Sequence, residues 1–444
     1  MIRRPPRSTQ GVSSAASDVY KRQVKGFMNT CMHRGSPITF EESGNTMRFT
    51  CPYHGWTYNN DGKLMGIASE NDFGDVDNFQ TIDMKITDSE ITNERQLIQR
   101  LNEGPVICAE GFLFEIEKRG YLSAGEFVPM VSLEHPEALE NLHKDFQHAG
   151  SDVVEAFTYN AHREKMRVIG KEDLIAPLNR AALKIAKKVA DNPINGGEPN
   201  LMAGNISNSN IWEQGNSDSH AEVERMFNEM VEWSVDEGAD LLVGETFYYA
   251  EEAYMALDII QKAGLPSVIT IAPMAENEMR DGVSIIDTMK ELEQRGADVV
   301  GMNCFRGPDT MMPYLREARK ILKCHMGALP LPFRTTDANP TFFNLPDDHG
   351  CSCPAPHGRT FPTALDPLYC NRYEIREFGK EAFELGINYL GVCCGATPMH
   401  IREVAEAAGL TVPASKYREN MSNHFMYGTN ERTAEHMQEY GDKA

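Results

Sequence analysis

The sequence predicts an α/β protein whose main part is a (β/α)8 TIM barrel, preceded by a small all-β module. Eight short apolar runs follow one another from about residue 96, and an amphipathic stretch with helical spacing trails each run. Turns such as DEGAD and QRGAD introduce several runs, as expected where a helix ends at glycine. Eight βα units in roughly 310 residues match a barrel, whereas a doubly wound sheet, the alternative, seldom needs eight consecutive parallel strands.

The first 23 residues differ from the rest of the chain. Residues 1–23 are rich in serine, arginine and proline, show no hydrophobic period and join abruptly to VKGFMNTC. They resemble translated read-through of a sequencing adapter. We therefore expect an artefactual leader, with a genuine disordered segment as the alternative.

A small β module follows the leader. Residues 24–83 have short, glycine-punctuated runs, in which TCMHRG and FTCPYHGWTY indicate two loops and YNNDGKL indicates a hairpin turn. The barrel is expected over residues 84–410, and Met84 is a candidate natural start for it. The polar residues 411–444 are expected to form a loose tail or an oligomer arm.

Each of the eight barrel runs has the length of a buried strand bounded by polar or glycine-rich segments. In chain order they are VICAEGFLF, DVVEAFTY, NLMAGNIS, DLLVGETF, SVITIAP, DVVGMNC, MGALPLPF and YLGVCCG. The carboxyl ends of the strands meet at one barrel face, where active sites form. Polar residues that close these runs are therefore candidate site residues.

Composition narrows the class of protein. The chain has 444 residues, a net charge of −22 and ten cysteines, and residues 1–83 hold nine Lys or Arg against nine Asp or Glu. The acidic excess beyond residue 83 argues against a nucleic-acid partner. No run approaches the roughly 20 apolar residues of a membrane helix, and no secretion signal is recognisable. Cysteines that cluster with histidines and strand ends favour metal ligation in a reducing, cytoplasmic compartment over disulfides.

Two cysteines and two histidines form a pair of two-ligand loops in the β module. Cys31 and His33 lie in TCMHRG, Cys51 and His54 lie in CPYH, and 17 residues separate the pairs. This is the ligand set of a Rieske [2Fe–2S] centre, with a four-ligand zinc knuckle as the alternative. CMHRGSPI and CPYHGWTYNNDGKLMGI resemble the Rieske domain of ring-hydroxylating oxygenases, which implies a [2Fe–2S] cluster on these four residues. The resemblance covers about residues 25–80, so a truncated domain is expected.

Three cysteines close buried runs in the barrel. Cys304 ends VVGMNC, and Cys393 and Cys394 stand together in GVCCG. Soft thiolate ligands favour zinc, and three protein ligands leave the fourth position open, as at catalytic zinc sites. An ordinary buried pair is the alternative for the adjacent cysteines. Carboxylates close the first and fourth runs, at Glu110 and Glu245.

Residues from about 95 to 428 resemble the homocysteine S-methyltransferase family, and within it they are similar to betaine–homocysteine methyltransferases. The motifs that carry the resemblance are VICAEGFLFEIEKRGYL, LEHPEALENLHKDFQHAGSDVVEAFTY, GETF, DVVGMNC and YLGVCCGATPMHIREVAE. The resemblance implies a zinc ion held by Cys304, Cys393 and Cys394, and it places the glutamate that binds the homocysteine amino group at Glu245. It implies methyl transfer from glycine betaine to L-homocysteine, giving methionine and dimethylglycine.

A betaine enzyme also needs a dry, aromatic-lined donor pocket, because a quaternary ammonium is held without hydrogen bonds. The aromatic candidates for this pocket are Phe127, Tyr159 and Phe247. Core packing is the alternative for each of them. The remaining candidate substrate-binding residues are Glu110, Gly111 and Asn205.

Three alternatives stay open. A sister enzyme that uses S-methylmethionine or dimethylsulfoniopropionate as the methyl donor is the nearest one. The second is a Rieske iron–sulfur electron-transfer or oxygenase fragment fused to the barrel. The third is that two proteins encoded by neighbouring genes of one cluster have been joined by truncation or a read-through error. The expected partners are small molecules, with no nucleic acid and no membrane, and the family tends to form homo-oligomers.

Overall fold

A computed structural model describes residues 13–18, 23–28, 38, 39, 46, 48–52, 55–59, 63–66, 93–194, 198–346, 359–441 and 443. The chain divides into two compact units, residues 1–92 and 93–444. The predicted start at Met84 lies outside the described residues.

Five short strands lie in the described part of the N-terminal unit. They are β1 (Ser13–Asp18), β2 (Gln23–Met28), β3 (Arg48–Thr50), β4 (Thr57–Asn59) and β5 (Leu64–Gly66). β1 and β2 form an antiparallel hairpin, and β3, β4 and β5 form an antiparallel sheet. The strand β1 lies within the predicted leader, where the sequence indicates no strand. The predicted hairpin turn is confirmed, because the Asn59 amide donates to Lys63 O at 2.9 Å between β4 and β5.

A small apolar core supports the three-stranded sheet. Ile38, Cys51, Trp56 and Tyr58 are buried in it. The Cys51 amide donates to Trp56 O at 2.8 Å, and the Gly55 amide donates to Cys51 O at 2.9 Å, which closes a tight turn. Gly55 has a φ of 72°, a left-handed conformation that glycine adopts without steric cost. The described part of the second predicted ligand loop is therefore compact.

Eight parallel strands close a barrel in the C-terminal unit. In chain order they are β6 (Val106–Ala109), β7 (Val153–Glu155), β8 (Leu201–Ser207), β9 (Leu241–Phe247), β10 (Ser267–Ile271), β11 (Val299–Asn303), β12 (His325–Leu329) and β13 (Tyr389–Val392). Each pairs with its neighbours in the sequence, and β13 pairs with β6 to close the sheet. The predicted barrel is confirmed. The first two strands are shorter than their apolar runs, since the chain turns helical at Phe112 and β7 ends at Glu155.

Helices accompany the barrel strands in the C-terminal unit, and most of them bury apolar side chains. They are α1 (Asn93–Glu103), α2 (Phe112–Lys118), α3 (Val131–Glu134), α4 (Pro136–Ala149), α5 (Arg163–Val168), α6 (Ile175–Ala190), α7 (Ser217–Asp236), α8 (Ala250–Ala263), α9 (Ile285–Gln294), α10 (Pro308–Arg319), α11 (Arg372–Glu384), α12 (Pro398–Ala407) and α13 (Glu435–Gly441). α7 and α9 end at the predicted turns DEGAD and QRGAD, where Gly238 and Gly296 have φ angles of 80° and 89°, as expected for glycine after a helix. In the described part of the chain, no helix is long and apolar enough to cross a membrane.

The barrel interior is apolar at the amino ends of its strands. Val106, Val153, Leu241 and Val268 belong to one buried cluster there, and Leu97 of α1 joins it. This packing excludes water from that end of the barrel. Polar side chains are instead found near the carboxyl ends of the strands.

The polar C-terminal tail begins with contacts to the barrel helices. Its first turns are short 3₁₀ helices, Pro413–Tyr417 and Met421–Asn423. Glu419 accepts from Arg372 at 3.0 Å and from Arg376 at 3.4 Å, both on α11. Ion pairs therefore tie the start of the predicted tail to the barrel unit.

Candidate active site

The three predicted zinc ligands converge at the carboxyl end of the barrel. Cys304 follows β11, and Cys393 and Cys394 follow β13; they are 2 %, 1 % and 9 % exposed. Their sulfur atoms lie within 4.8 Å of one another. Hydrogen bonds from the other two thiols hold the pKa of Cys394 well below its usual range. A buried, three-thiol group that stabilises a thiolate fits a zinc ion with one open coordination position.

The turn after β11 has an unusual backbone. Cys304 and Phe305 have φ angles of 52° and 53°, a left-handed conformation that costs non-glycine residues about 1–3 kcal/mol. The Cys304 amide donates to Leu329 O at 3.1 Å, and the Arg306 amide donates to Cys304 O at 2.6 Å. These hydrogen bonds hold the turn, and strain of this kind is typical of functional sites.

Arg306 ties this turn to the neighbouring loop. Its side chain is buried, and its guanidinium donates to the carbonyl oxygens of Pro273, Met274 and Glu276 at 3.3, 2.6 and 2.9 Å. Those carbonyls belong to the loop after β10, the strand next to β11. Because each contact is a charge-assisted hydrogen bond, the arginine fixes the backbone that presents Cys304.

Buried carboxylates lie beside the thiols. The predicted residues Glu245, on β9, and Glu110, after β6, each place an oxygen within 4.8 Å of the Cys393 sulfur. The structure adds Glu155 at the end of β7, which is 2 % exposed and was not predicted. An acidic residue inside the apolar run DVVEAFTY was the signal that could have identified it. Three strands thus present carboxylates to one region.

Two asparagine amides bridge these carboxylates. Nδ2 of Asn205 donates to Glu155 Oε1 at 2.5 Å and to Glu245 Oε1 at 2.6 Å. Nδ2 of Asn303 donates to Glu245 Oε2 at 2.6 Å and to Glu110 Oε2 at 3.2 Å. Asn205 is a predicted site residue, whereas Asn303 was not predicted although it belongs to the GMNC motif. The amides hold the carboxylates at set positions.

Thr246 fixes the orientation of one amide. Its backbone N–H donates to Asn303 Oδ1 at 2.9 Å, which leaves the Asn303 Nδ2 for carboxylates. Its hydroxyl donates to Glu245 Oε2 at 3.1 Å. Thr246 also has a left-handed backbone, with a φ of 60°. Glu245 is therefore the most constrained of the three carboxylates.

The carboxylates are hard to ionise where they stand. Burial, followed by the charge of Cys394, raises the pKa of Glu245 to about 7. Burial and the charge of Glu245 raise the pKa of Glu110 and of Glu155 well above the usual range. A site that concentrates negative charge away from water favours a positively charged group.

Two of the thiols, Cys393 and Cys394, line one pocket with the three carboxylates and with aromatic side chains. Phe112, Phe157 and Tyr159 contribute to its wall. Tyr159 is a predicted donor-pocket residue, and its hydroxyl accepts from Asn208 Nδ2 at 3.4 Å. Phe112 and Phe157 were not predicted, and their ring centroids are 5.7 Å apart. Aromatic faces therefore border the acidic part of the pocket.

Two other predicted aromatic residues are not among the described side chains that line this pocket. Phe247 is fully buried and packs edge-on against Phe227, with ring centroids 6.0 Å apart, so it belongs to the core. Phe127 packs against Phe114 with ring centroids 5.9 Å apart, and its carbonyl accepts from Asn160 Nδ2 at 3.2 Å. A donor-binding role for Phe127 stays a prediction.

Gly111 allows two strand ends to approach each other. A Cβ at this position would lie 2.5 Å from Ala396 O and 2.7 Å from Ala396 Cβ. Ala396 closes the turn that contains the cysteine pair, and its amide donates to Cys393 O at 2.9 Å. Gly111 is therefore a steric requirement of the site, and its contact with substrate stays a prediction.

Of the four predicted iron ligands in the N-terminal unit, Cys51 lies within the described residues and is buried in the small core. Cys31, His33 and His54 lie outside the described residues. The [2Fe–2S] centre stays a prediction.

Two family models match separate parts of the chain. A model of homocysteine S-methyltransferases matches residues 107–408, and a model of the Rieske [2Fe–2S] domain matches residues 9–80. The first match covers the barrel strands, and the second begins inside the predicted leader.

The chain is similar in sequence or in structure to several homocysteine methyltransferases. A betaine–homocysteine S-methyltransferase 1 from Danio rerio is 33 % identical over 325 residues, covering 71 % of this chain and 76 % of the relative. An S-methylmethionine–homocysteine S-methyltransferase from Mus musculus is 32 % identical over 334 residues, covering 73 % of this chain and 85 % of the relative. The metallated form of the homocysteine methyltransferase MmuM from Escherichia coli has a TM-score of 0.54 and 17 % identity, covering 71 % of this chain and 99 % of that chain. The last match shows the barrel fold alone.

Proposed function

Since the chain belongs to the homocysteine S-methyltransferase family, we propose that it transfers a methyl group from glycine betaine to L-homocysteine at a zinc ion, giving methionine and dimethylglycine. Homocysteine S-methyltransferase activity follows from the family match and from relatives that share a third of the sequence. Betaine as donor and zinc as cofactor are the proposed parts. The convergence of three buried thiols beside the carboxylate of Glu245 supports zinc, and the aromatic wall of the pocket supports betaine.

The thiols of Cys304, Cys393 and Cys394 are the proposed zinc ligands. Three soft donors suit zinc and leave room for a fourth ligand, the sulfur of the substrate. A bound zinc ion lowers the pKa of a thiol, so that homocysteine reacts as a thiolate at neutral pH. The protein contributes burial, because all three cysteines are less than a tenth exposed and water competes poorly there.

The amino group of homocysteine is proposed to bind Glu245. Asn303 and Thr246 hold that carboxylate through hydrogen bonds of 2.6 and 3.1 Å. A fixed carboxylate orients the substrate without reorganising during the reaction. Glu110 and Asn205 line the same pocket and belong to the proposed amino-acid site.

The methyl donor is proposed to lie against the aromatic wall of Phe112, Phe157 and Tyr159. Aromatic faces attract a quaternary ammonium without hydrogen bonds. In the reaction the homocysteine sulfur forms a bond to the methyl carbon while the carbon–nitrogen bond breaks. The bonding electrons stay on nitrogen, and betaine leaves as the neutral amine of dimethylglycine. Positive charge disappears as the bond breaks, which a dry pocket favours.

Methyl-labelled donors test this proposal. Zinc-loaded protein is incubated with homocysteine and labelled betaine, S-methylmethionine or dimethylsulfoniopropionate in separate reactions, and labelled methionine is measured. A higher kcat/KM with betaine is expected. Label from a sulfonium donor alone would reject betaine but keep the methyltransferase. Absence of label from all three donors would reject the function.

A second metal centre is proposed for the N-terminal unit because the Rieske model matches residues 9–80. We propose a truncated Rieske domain over residues 24–83, the methyltransferase barrel over 84–410 and a tail over 411–444. The alternative of an electron-transfer fragment fused to the barrel rests on the same match.

A further inference from the structure

The pocket contains one carboxylate that the proposed reaction leaves without a role. Glu155 ends β7, is 2 % exposed and lines the pocket with Glu245, Cys393 and Cys394. A buried carboxylate without a cation is costly, so its presence in an enzyme pocket calls for a partner.

The carboxylates of Glu155 and Glu245 converge on the side-chain amide of Asn205. Both accept a hydrogen bond from the same atom, Nδ2 of Asn205, which lies 2.5 Å from Glu155 Oε1 and 2.6 Å from Glu245 Oε1. Two oxygens that accept from one nitrogen are at most about 5 Å apart by that geometry. A single small cationic group can therefore contact both.

The pocket has an excess of hydrogen-bond acceptors. Among the described residues that line it, none is lysine, arginine or histidine. The buried atoms Glu110 Oε1 and Asn205 Oδ1 have no hydrogen-bond partner in the part of the chain that the structure describes. Asn205 cannot be reversed to satisfy its oxygen, because its nitrogen is needed between two carboxylates. The missing partner is therefore a group with several donors and a positive charge.

We propose that Glu155 is a second carboxylate anchor for the α-ammonium group of homocysteine, acting beside Glu245; this inference rests on the proposed function. An ammonium group has three N–H donors and no acceptor, which matches two converging carboxylates and an unpaired amide oxygen. Cys393 and Cys394 line the same pocket, so one molecule reaches the thiols with its sulfur and the carboxylates with its nitrogen. Glu155 thus selects an amino-acid thiol over a simple thiol.

Glu155→Gln tests this role with two substrates. The variant keeps the size of the side chain and an acceptor for Asn205, but it removes the negative charge. Homocysteine is compared with 4-mercaptobutyrate, the same molecule with hydrogen in place of the amino group. We expect kcat/KM for homocysteine to fall about 10- to 100-fold, mainly through KM, because a hydrogen bond to a charged group is lost. Turnover of 4-mercaptobutyrate should change less than about threefold by the same reasoning.

Glu252→Gln is the matched control. Glu252 is fully buried and accepts from the Ser209 amide at 2.7 Å, but it is not among the described residues that line the pocket. This variant should leave the preference for homocysteine unchanged. An equal loss with both thiols in Glu155→Gln would assign Glu155 a structural role through Asn205 and overturn the proposal, as would the absence of any loss.

Two further measurements distinguish a failure of this proposal from a folding defect and from a failure of the proposed function. If Glu155→Gln does not yield folded, zinc-loaded protein, Glu155→Asp carries the same comparison, since it keeps the charge but retracts it by one methylene. A wild type that methylates homocysteine from no donor rejects the proposed function. Calorimetric binding of the two thiols then tests Glu155: a selective loss of homocysteine affinity supports its role, and unchanged affinity overturns it.

Discussion

Three residues of the site, Thr246, Cys304 and Phe305, have a left-handed backbone although none is glycine. Thr246 lies one residue before the end of β9, and Cys304 and Phe305 directly follow β11, where the chain leaves the sheet. The energetic cost of each is about 1–3 kcal/mol, and nearby hydrogen bonds offset it. At the residue scale, therefore, the chemistry depends on local backbone geometry as well as on residue type.

Replacing Cys394 by alanine removes one of three sulfur donors. We expect the Cys394→Ala protein to lose bound zinc and methyl transfer together, because two thiols bind the ion much more weakly than three. Zinc per chain, measured by mass spectrometry, and turnover with betaine check this. Cys324→Ala is the control, since Cys324 is a half-buried free cysteine that does not belong to the thiol group. Full turnover by zinc-free Cys394→Ala protein would contradict the zinc assignment.

At the scale of elements, different barrel strands supply the carboxylates and the thiols of the site. β6, β7 and β9 end near the carboxylates, and β11 and β13 end at the thiols. Parallel pairing places all these ends at one face of the barrel. Residues that lie up to 284 positions apart, Glu110 and Cys394, thereby line one pocket.

The contact between the turns after β6 and β13 gives a prediction for Gly111→Ala. The new Cβ would lie 2.5 Å from Ala396 O, so the turn that contains Cys393 and Cys394 has to move. We expect a loss of about 1–3 kcal/mol in the free energy of unfolding and about 10-fold weaker zinc binding. Denaturant unfolding and competition with a zinc chelator measure the two effects.

Gly104→Ala is the control for this substitution. No heavy atom of the described residues lies within 4 Å of a Cβ built at Gly104, and alanine there restricts the unfolded chain. Its free energy of unfolding should stay equal or rise slightly. Equal effects of both substitutions would show that the contact with Ala396 is unimportant.

At the scale of the whole molecule, buried histidines link stability to pH. Burial lowers the pKa of His143 and His162 to about 3 and that of His400 to about 4. In the unfolded chain these imidazoles bind protons below about pH 6.5. The unfolded state then holds more protons, so the free energy of unfolding falls as the pH drops from 6.5 toward the folded-state values.

His143→Met removes one of these proton-binding groups. Between pH 6.5 and 5 we expect the wild type to lose about 2 kcal/mol more unfolding free energy than the variant. Denaturant unfolding at a series of pH values measures the difference. Leu142→Met, on the same helix and also fully buried, should shift stability equally at every pH. Parallel curves for His143→Met and the wild type would exclude His143 as a contributor.

The N-terminal unit gives a prediction about a second metal centre. Protein purified without oxygen should contain about two iron atoms per chain and show the visible absorption of a [2Fe–2S] cluster. Cys51→Ser should remove that absorption while leaving betaine-dependent turnover intact, because the methyltransferase site lies in the barrel unit. Colourless, iron-free wild-type protein would reject the cluster.

Much of the barrel could be predicted from the sequence because its strands are buried on both faces and therefore form continuous apolar runs. The same runs predict Cys304, Cys393 and Glu245 as strand-end residues. Glu155 escaped prediction because its run continues to Tyr159, so nothing in the sequence shows that the strand ends at the glutamate. Asn303 gives a weaker signal than the adjacent Cys304, because an amide is not a usual zinc ligand.

The sequence by itself determined the fold class, the eight strands and the three thiols, because periodicity and soft ligands are local properties of the chain. Only the tertiary structure decided which side chains share the pocket. It brought Glu155 to Asn205 and Glu245, placed Phe247 in the core and required glycine at position 111. The physical reason is that barrel closure sets distances between strand ends, and those distances decide where negative charge accumulates and which cation the site can hold.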